Sequence, residues 1–274
     1  MPYFRLDSME IHHLNPHLSS GEGPVVEGEY MYFRINIKRA GTGSEMHYHP
    51  NELMTFPIAG KINCVVGKDR RIVQPGTFVH VPSCARHSFK ATEDGETRYL
   101  YIKDRTWTLI GAAADEALPE KALSAVEVKQ ALDAGRYPGE RKDPARSQAI
   151  IEGLGNCYYS MLESLDQPAG STYNEQWVRG ARLAFGAIEL PADEQVETQS
   201  SPHELFVYVL SGRLDADVAG ERRTVGTGDL VHVPRGKAYV WRAAGENTRY
   251  AAVHSTALLE QEIEKNGAAD NWRG

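Results

Sequence analysis

Val79-His80-Val81-Pro82 and Val231-His232-Val233-Pro234 are the same four residues, repeated 152 positions apart. The similarity extends outward from this pair without a gap, and 17 of 55 aligned positions are identical between 28–82 and 180–234. Self-similarity at a fixed offset indicates duplication of a structural unit. A chain of 274 residues is long enough for two such units, each with its own core.

Each copy is predicted to consist of short β-strands. Residues 30–37 alternate between polar and apolar, and 51–58, 61–66 and 77–81 are rich in β-branched or aromatic residues. Glycine and proline separate these segments, as at Pro75-Gly76. Many short strands with such turns predict an all-β sandwich or barrel.

The predicted fold is all-β, with two tandem barrels, a short helix in the linker and a C-terminal helix. Ser124 and Glu127 form a capping box for a helix over 124–134, and Gly135 is a suitable terminating residue. A second helix is predicted from Ala257 to Asn266. The predicted boundaries are an N-terminal arm at 1–24, the first barrel at 25–107, the linker at 108–150, the second barrel at 151–256 and the last helix with its tail at 257–274.

Three histidines of the first copy form a candidate metal site. His47 and His49 are two positions apart in a predicted strand, so both side chains point to the same side. His87 follows further along, where an antiparallel barrel can bring it beside that pair. Three neutral imidazoles on one wall predict a site for one divalent transition metal per chain.

The second copy has lost all three histidines together. The equivalent positions hold Gln199, Ser201 and Tyr239, while the surrounding residues persist. An isolated His-x-His pair is often a surface feature, but upkeep of the fold would not link three separate positions, whereas a shared ligand would. We therefore expect the metal in the first copy alone.

Two other polar residues recur in both copies. His80 corresponds to His232, and Glu52 corresponds to Glu204. Residues that persist where the metal ligands are lost are predicted to serve the fold, in the case of Glu52 through a salt bridge. A local bulge after Pro50 would instead turn Glu52 inward as a fourth metal ligand, and this alternative stays open.

Two stretches of the first copy resemble the conserved motifs of the cupin superfamily, namely Gly41-x5-His47-x-His49 and Pro75-Gly76 followed by His87. Degenerate counterparts lie at 193–212 and 227–241. The resemblance implies a bicupin, in which each copy is a jelly-roll barrel and the metal lies in the mouth of the first.

The position of the usual fourth ligand points to one group of cupins. Cupins commonly supply Glu or Gln seven residues before the glycine that ends the first motif, but here Leu53 stands seven residues before Gly60. The remaining three-histidine set resembles that of the gentisate, salicylate and β-diketone-cleaving dioxygenases.

This resemblance implies an Fe(II) dioxygenase that acts on a small hydroxylated aromatic acid or an enolisable ketone. The alternatives are a redox-neutral lyase, isomerase or decarboxylase that uses Zn, Mn or Ni, and a binding or sensing protein without turnover. Imidazole ligands suit several of these metals, so the ligand set alone does not identify the ion.

An acidic substrate needs a cationic or hydrogen-bonding anchor. Arg34, Asn36 and Tyr101 lie on or near predicted strands and are the candidates for this role. Polar residues on the strands of a barrel also commonly face solvent, and the sequence leaves both interpretations open.

Composition limits the classes of partner. A net charge of −7 argues against nucleic acid or an anionic membrane, and no apolar run approaches the ~20 residues of a membrane span.

The segment Met1–Asp7 does not resemble a signal peptide, and three scattered cysteines form no disulfide framework, so we expect a reducing cytoplasm. A small-molecule substrate is expected, and sheet edges that need protection predict a homodimer.

Overall fold

The computed structural model describes residues 1–141, 147–270 and 272–273. In the first half of the chain the strands are β1 (Tyr3–Arg5), β2 (Val25–Glu27), β3 (Met31–Lys38), β4 (His47–Tyr48), β5 (Leu53–Ala59), β6 (Ile62–Val66), β7 (Asp69–Val73), β8 (Thr77–Val81), β9 (His87–Ala91), β10 (Thr97–Asp104) and β11 (Ala112–Ala113). In the second half they are β12 (Tyr158–Ser160), β13 (Asn174–Arg179), β14 (Leu183–Leu190), β15 (Gln195–Thr198), β16 (Leu205–Ser211), β17 (Arg213–Val218), β18 (Glu221–Gly226), β19 (Asp229–Val233), β20 (Tyr239–Ala243) and β21 (Thr248–Ser255). The α-helices among the described residues are α1 (Ala125–Asp133) and α2 (Ala257–Asn266).

Each copy forms a barrel from two sheets that share one apolar core. In the first barrel the strand orders are β12-β8-β5-β10-β3-β2 and β11-β4-β9-β6-β7. In the second barrel they are β1-β19-β16-β21-β14-β13 and β15-β20-β17-β18. The paired strands run antiparallel. The predicted all-β fold of two tandem jelly-roll barrels is thus confirmed.

A third apolar core lies between the barrels. It joins the outer faces of the two six-stranded sheets, with Phe33 and Phe78 from the first and Phe185 and Phe206 from the second. The ring centroids of Phe78 and Phe185 are 4.7 Å apart. Since both faces of these sheets are covered, strands such as β3 and β16 are buried along nearly their whole length, the pattern of a fully buried strand.

The two barrels exchange edge strands, which corrects the predicted domain boundaries. β1 lies in the arm predicted at 1–24, yet it pairs with β19 and belongs to the second barrel. β12 lies in the segment predicted as the second barrel, 151–256, yet it pairs with β8 of the first. An edge strand presents unpaired backbone groups, and in each barrel a segment from the other half of the chain covers one.

Two buried carboxylates fasten the barrels to each other. Glu52 accepts hydrogen bonds from His80 Nε2 at 2.7 Å and from three backbone amides of the second barrel at 2.8–2.9 Å, those of Ala181, Arg182 and Leu183. Glu204 accepts in the same way from His232 Nε2 at 2.8 Å and from the amides of Glu29, Tyr30 and Met31 at 2.6–3.0 Å. The prediction that these recurring residues serve the fold is confirmed.

The hydrogen bonds keep the Glu52 carboxylate ionised. Burial alone would raise the pKa of Glu52, but the hydrogen bond and the charge of His80, together with the backbone amides, outweigh it and hold the pKa below its ordinary value. A buried charge is stable only when its hydrogen-bonding capacity is met, and here the opposite barrel meets it.

Gly28 and Gly180 recur at equivalent positions because each lies against one of these carboxylates. A Cβ atom on Gly28 would collide with the carboxylate of Glu204, and one on Gly180 would collide with that of Glu52. The absence of a side chain lets the backbone approach closely enough for the following amides to donate.

Both predicted helices are confirmed. Ser124 caps α1, its hydroxyl accepts from the amide of Glu127, and the Glu127 carboxylate accepts from the amide of Ser124. Gly135 follows the helix with a φ of 70°, in the left-handed region that glycine favours. Thr256 caps α2, which extends from Ala257 to Asn266. Neither helix, nor any other in the described ranges, has the length and apolar character to cross a bilayer.

The carboxylate contacts predict a large effect of one substitution. In Glu204→Gln an amide NH₂ group replaces one carboxylate oxygen and faces backbone N–H donors, which leaves buried donors unsatisfied. We expect the free energy of unfolding to fall by roughly 2–4 kcal/mol in urea denaturation. Glu246→Gln, at an exposed glutamate of the same barrel, is the matched control and should change it by less than about 0.5 kcal/mol. Equal stability of the two variants would contradict this role of Glu204.

Candidate metal centre

His47, His49 and His87 converge at one end of the first barrel. β4 and β9 are antiparallel neighbours, with His47 directly opposite His87, and His49 immediately follows β4. The ring centroids are 4.2 Å apart for His47 and His87 and 4.8 Å apart for His49 and His87. The three candidate ligand atoms lie within 4.8 Å of one another, and all three residues are buried. The structure thus brings together the three side chains that the sequence analysis selects.

Backbone carbonyls orient all three rings. The Nδ1 atoms of His47, His49 and His87 lie 2.8, 3.0 and 2.8 Å from the carbonyl oxygens of Glu45, Asn51 and Ala85. Each Nδ1 therefore carries the proton, and each Nε2 keeps a free lone pair. Such a backbone contact is the usual arrangement behind a metal-binding imidazole.

The buried Nε2 atoms fit a metal ion. Those of His49 and His87 are buried and have no hydrogen-bond partner, which is costly for a polar atom unless another group supplies the interaction. A donor set of three neutral imidazoles suits a divalent transition metal. The residues present therefore fit the divalent metal that the sequence predicts.

The rings are neutral at pH 7. Burial lowers the pKa of His87 to about 3 and holds the pKa values of His47 and His49 well below the ordinary range. The positive charge of Lys103 contributes to the lowering in all three cases. Neutral imidazole is the form that binds a metal, so no proton has to leave before binding.

Glu52 does not face this cluster, which corrects the alternative of a fourth ligand. Each of its carboxylate oxygens accepts two hydrogen bonds, from His80 and from the three amides of the second barrel. Those four bonds use the four lone-pair sites of a carboxylate. The physical reason is register, since neighbouring residues of a strand point to opposite faces, and the face of Glu52 is the one that meets the second barrel.

The described part of the second barrel contains no comparable cluster of metal-binding side chains. Ser201 and Tyr239 take the places of His49 and His87 there, as the sequence comparison indicates. His203 and His254 do come together, with parallel rings 5.2 Å apart. Their Nδ1 atoms are bonded to Glu260 Oε1 and to the Ser255 carbonyl, respectively.

The three predicted anchors line a cavity beside the histidines. Arg34, Asn36 and Tyr101 share its wall with His47 and His87. The Nη2 atom of Arg34 donates to two backbone carbonyls of the N-terminal arm, those of His12 at 2.8 Å and Gly21 at 3.0 Å. These positions therefore face the barrel interior and not the solvent.

Two buried lysines near the histidines escaped prediction. Lys38 lines the same cavity, and its Nζ donates to the carbonyl of Phe89 at 2.8 Å. Lys103 is fully buried, and its Nζ donates to the carbonyl of Leu109 at 3.1 Å. Burial lowers the pKa of Lys38 to about 7 and that of Lys103 well below its ordinary value.

The internal repeat contained a signal for these residues. Arg34, Asn36 and Lys38 lie at alternate positions on one face of β3, and the second copy replaces them with Gly186, Ile188 and Leu190. Polar side chains that disappear together with the histidines belong to the same site. A lysine in a strand is ordinarily taken for a surface residue, which is why Lys38 was missed.

The N-terminal arm closes this cavity. Leu14 packs in the apolar core of the first barrel, Leu18 is also buried, and Asn15, Ser19 and Gly21 form part of the cavity wall. The enclosed volume is about 20 Å³, enough for about one water molecule. The site is therefore sheltered from bulk solvent.

Comparison with known proteins places both halves in one family. A family model described as a cupin domain matches residues 33–103 and, separately, 186–254, together slightly more than half of the chain. A search of curated protein sequences finds no significant match.

Solved structures of oxalate decarboxylase from Bacillus subtilis have a similar fold. The structure at pH 4.6 matches with a TM-score of 0.62 and 17% identity over 93% of this chain and 76% of that one. The protein whose Mn(II) centres were studied by mutagenesis matches with a TM-score of 0.62 and 16% identity, over 93% and 77%. Identity this low shows the fold alone. Because the cupin model matches each half separately, on the two barrels that the structure shows, this chain is a bicupin and belongs to the cupin family.

Proposed function

We propose that the first barrel is a metal-dependent enzyme site for a small carboxylate. The observation that carries the proposal is the concentration of basic side chains around the imidazoles. Arg34 and Lys38 line the cavity, and no Asp or Glu is among the described residues that line it. Buried charges need a partner of opposite sign, so this cavity favours an anion.

The size of the cavity supports a compact substrate. Its volume of about 20 Å³ is limited in part by Asn15, Ser19 and Gly21 of the arm. A small aliphatic acid requires less displacement of the arm than an aromatic ring does. We therefore favour a small aliphatic acid over the hydroxylated aromatic acid that the resemblance to dioxygenases implies.

We propose that the Nε2 atoms of His47, His49 and His87 hold the metal. When bound there, a divalent metal would act as a Lewis acid on a carboxylate oxygen of the substrate. Mn(II) is our first candidate because the oxalate decarboxylase of similar fold has Mn(II) centres, and Fe(II), Zn and Ni also suit imidazole ligands.

Arg34 and Lys38 have complementary roles in this proposal. The Arg34 guanidinium, held in place by the arm carbonyls, binds a carboxylate through charge-assisted hydrogen bonds. Lys38, with a pKa of about 7, can give up a proton from Nζ at neutral pH. In a decarboxylation, CO₂ leaves and a proton takes its place on carbon, so a proton donor beside the substrate is required.

Redox-neutral cleavage of the acid is the reaction type that we propose. Its support is the basic lining of the cavity together with the fold shared with oxalate decarboxylase. It corresponds to the lyase or decarboxylase alternative from the sequence.

Oxygen-dependent cleavage is a second candidate, and the orientation of Glu52 favours it. Because that carboxylate is bonded to the second barrel, it does not join the three neutral imidazoles, and a divalent ion bound by them would keep its full charge. A metal held by only three protein ligands would also leave room for a substrate and a further small molecule, which oxygen-dependent cleavage requires.

The first prediction of this proposal concerns metal content. Elemental analysis is expected to give about one transition metal per chain. His49→Ala should lose the metal but keep its β-rich circular dichroism, since the apolar core does not depend on the ion. His203→Ala in the second barrel is the matched control and should keep the metal. Two metals per chain, or full metal content in His49→Ala, would overturn the assignment of the ligands.

The second prediction concerns the anion. Lys38→Met should weaken binding of oxalate, measured by calorimetry, about tenfold or more, because a charged hydrogen-bonding partner is removed. Metal content should not change. Lys90→Met removes an exposed lysine of the neighbouring β9 and should leave binding as in the wild type. Indistinguishable oxalate affinity in Lys38→Met and the wild type would count against an anionic substrate.

The third prediction separates the two reaction types. Metal-loaded protein is offered oxalate and other small aliphatic acids while released CO₂ and dissolved oxygen are recorded together. We expect CO₂ release without net oxygen consumption. Oxygen uptake in proportion to product would instead establish the oxygen-dependent reaction, and tight binding of an acid without any turnover would identify a binding protein.

A further inference from the structure

The second barrel contains a larger cavity at the position equivalent to the histidine centre. Its volume is about 230 Å³, and Ser201 and Tyr239, the counterparts of His49 and His87, are part of its wall. It is partly open to solvent, and Tyr173 at the rim is 48% exposed. The second barrel therefore keeps a cavity where the histidines are lost, although apolar side chains could have filled this space.

Aromatic side chains dominate the wall of this cavity, namely Tyr173, Trp177, Tyr239, Trp241 and Tyr250. The rings of Tyr239 and Trp241 are stacked at 4.2 Å, and Trp241 meets Tyr250 edge to face at 6.1 Å. Tyr239 and Trp241 lie on β20 of the four-stranded sheet, whereas Trp177, 5.3 Å from the ring of His254, lies on β13 of the six-stranded sheet. Ring surfaces are therefore contributed by both sheets.

The lining of this cavity differs from that of the first barrel by more than the loss of the histidines. Trp177 is opposite Gly186 on adjacent strands, and a Cβ atom on Gly186 would come within 2.8 Å of the indole ring. The equivalent pair in the first barrel is Val25 and Arg34. A large ring and a missing side chain have therefore replaced a small residue and a large cation together, which is a complementary change at two positions.

The charge of the cavity is opposite to that of the first barrel. Glu175 is its one carboxylate, and no Lys or Arg is among the described residues that line it. The Glu175 carboxylate accepts from the Tyr173 hydroxyl at 3.1 Å and from Trp177 Nε1 at 3.0 Å, so it is held at the aromatic wall. Arg179, two residues beyond Trp177, is exposed and outside this lining.

The two histidines of the wall do not reverse this charge. Burial lowers the pKa of His254, which is therefore neutral at pH 7. The Nδ1 atom of His203 is 3.0 Å from the buried carboxylate of Glu260. Glu175 therefore supplies a negative charge at the wall, while Arg179 lies outside the lining but close enough to act on His254.

We propose that the second barrel binds a small organic cation, of the quaternary or methylated ammonium class. Ring faces carry negative electrostatic potential and attract such cations, and arrays of Trp and Tyr are the usual recognition element for them. Glu175 adds a full negative charge at the same wall. The site is independent of the metal centre, since it shares no residue with the cavity of the first barrel.

The test uses choline as the probe and compares it with 3,3-dimethylbutan-1-ol, the uncharged molecule of the same shape, and with benzoate. Binding is followed by calorimetry and by tryptophan fluorescence of the full chain. We expect choline to quench fluorescence and to bind about tenfold more tightly than the neutral analogue, with benzoate weakest.

Two variants test whether Glu175 and Trp177 bind the cation. Glu175→Gln should weaken choline several-fold and leave the neutral analogue unchanged, whereas Trp177→Leu should weaken choline binding in calorimetry because a ring face is removed. Glu194→Gln, at an exposed glutamate of the same barrel, is the matched control and should bind as the wild type does. Circular dichroism and metal content should be unchanged in all three.

Three outcomes would overturn the proposal. Equal affinity for choline and its neutral analogue would show an apolar site without selection for charge. Tighter binding of benzoate would show that the cavity selects anions. No binding of any of the three probes up to their solubility limits would show that the cavity is not a site for ligands of this class.

Discussion

Glu52 and Glu204 impose the constraint on which the rest of this molecule depends. An ionised carboxylate between two packed sheets costs several kcal/mol unless its hydrogen bonds are complete. Here each one is completed by amides of the opposite barrel. Neither barrel therefore satisfies its own buried charge, and the segments 28–31 and 180–183 are held in place across the interface. The apolar core between the two six-stranded sheets lies at the same interface.

The same constraint determines the character of the candidate metal centre. Cupins commonly place a carboxylate among their metal ligands, and Glu52 is one residue away from that position in this chain. Since a strand directs neighbouring side chains to opposite faces, the carboxylate serves the contact between barrels. The centre is left with His47, His49 and His87, all neutral. An interaction that stabilises the fold thus limits the chemistry that the site can perform.

The two barrels show how one scaffold supports opposite electrostatics. The inward face of β3 carries Arg34, Asn36 and Lys38, and the inward face of β14 carries residues without charge or hydrogen-bonding side chains. In the second barrel Trp177 lies against Gly186, the residue equivalent to Arg34 of the first. The backbone register is the same in both, so the difference in charge comes from the side chains that point inward.

The local residue pattern and the internal repeat were enough to predict much of the fold and of the candidate site. The alternation of strand residues placed His47 and His49 on one side, the loss of three histidines in one copy linked His87 to them, and the capping box fixed the start of α1. These signals rest on residues close in sequence or on direct comparison of the copies. Only the tertiary structure decided that β1 and β12 exchange barrels, that Glu52 bonds to residues some 130 positions away, and that Lys38 and Lys103 are buried beside the imidazoles. Each of these depends on which chain segments meet in space, and a strand pattern gives the face of a side chain without giving what that face will meet.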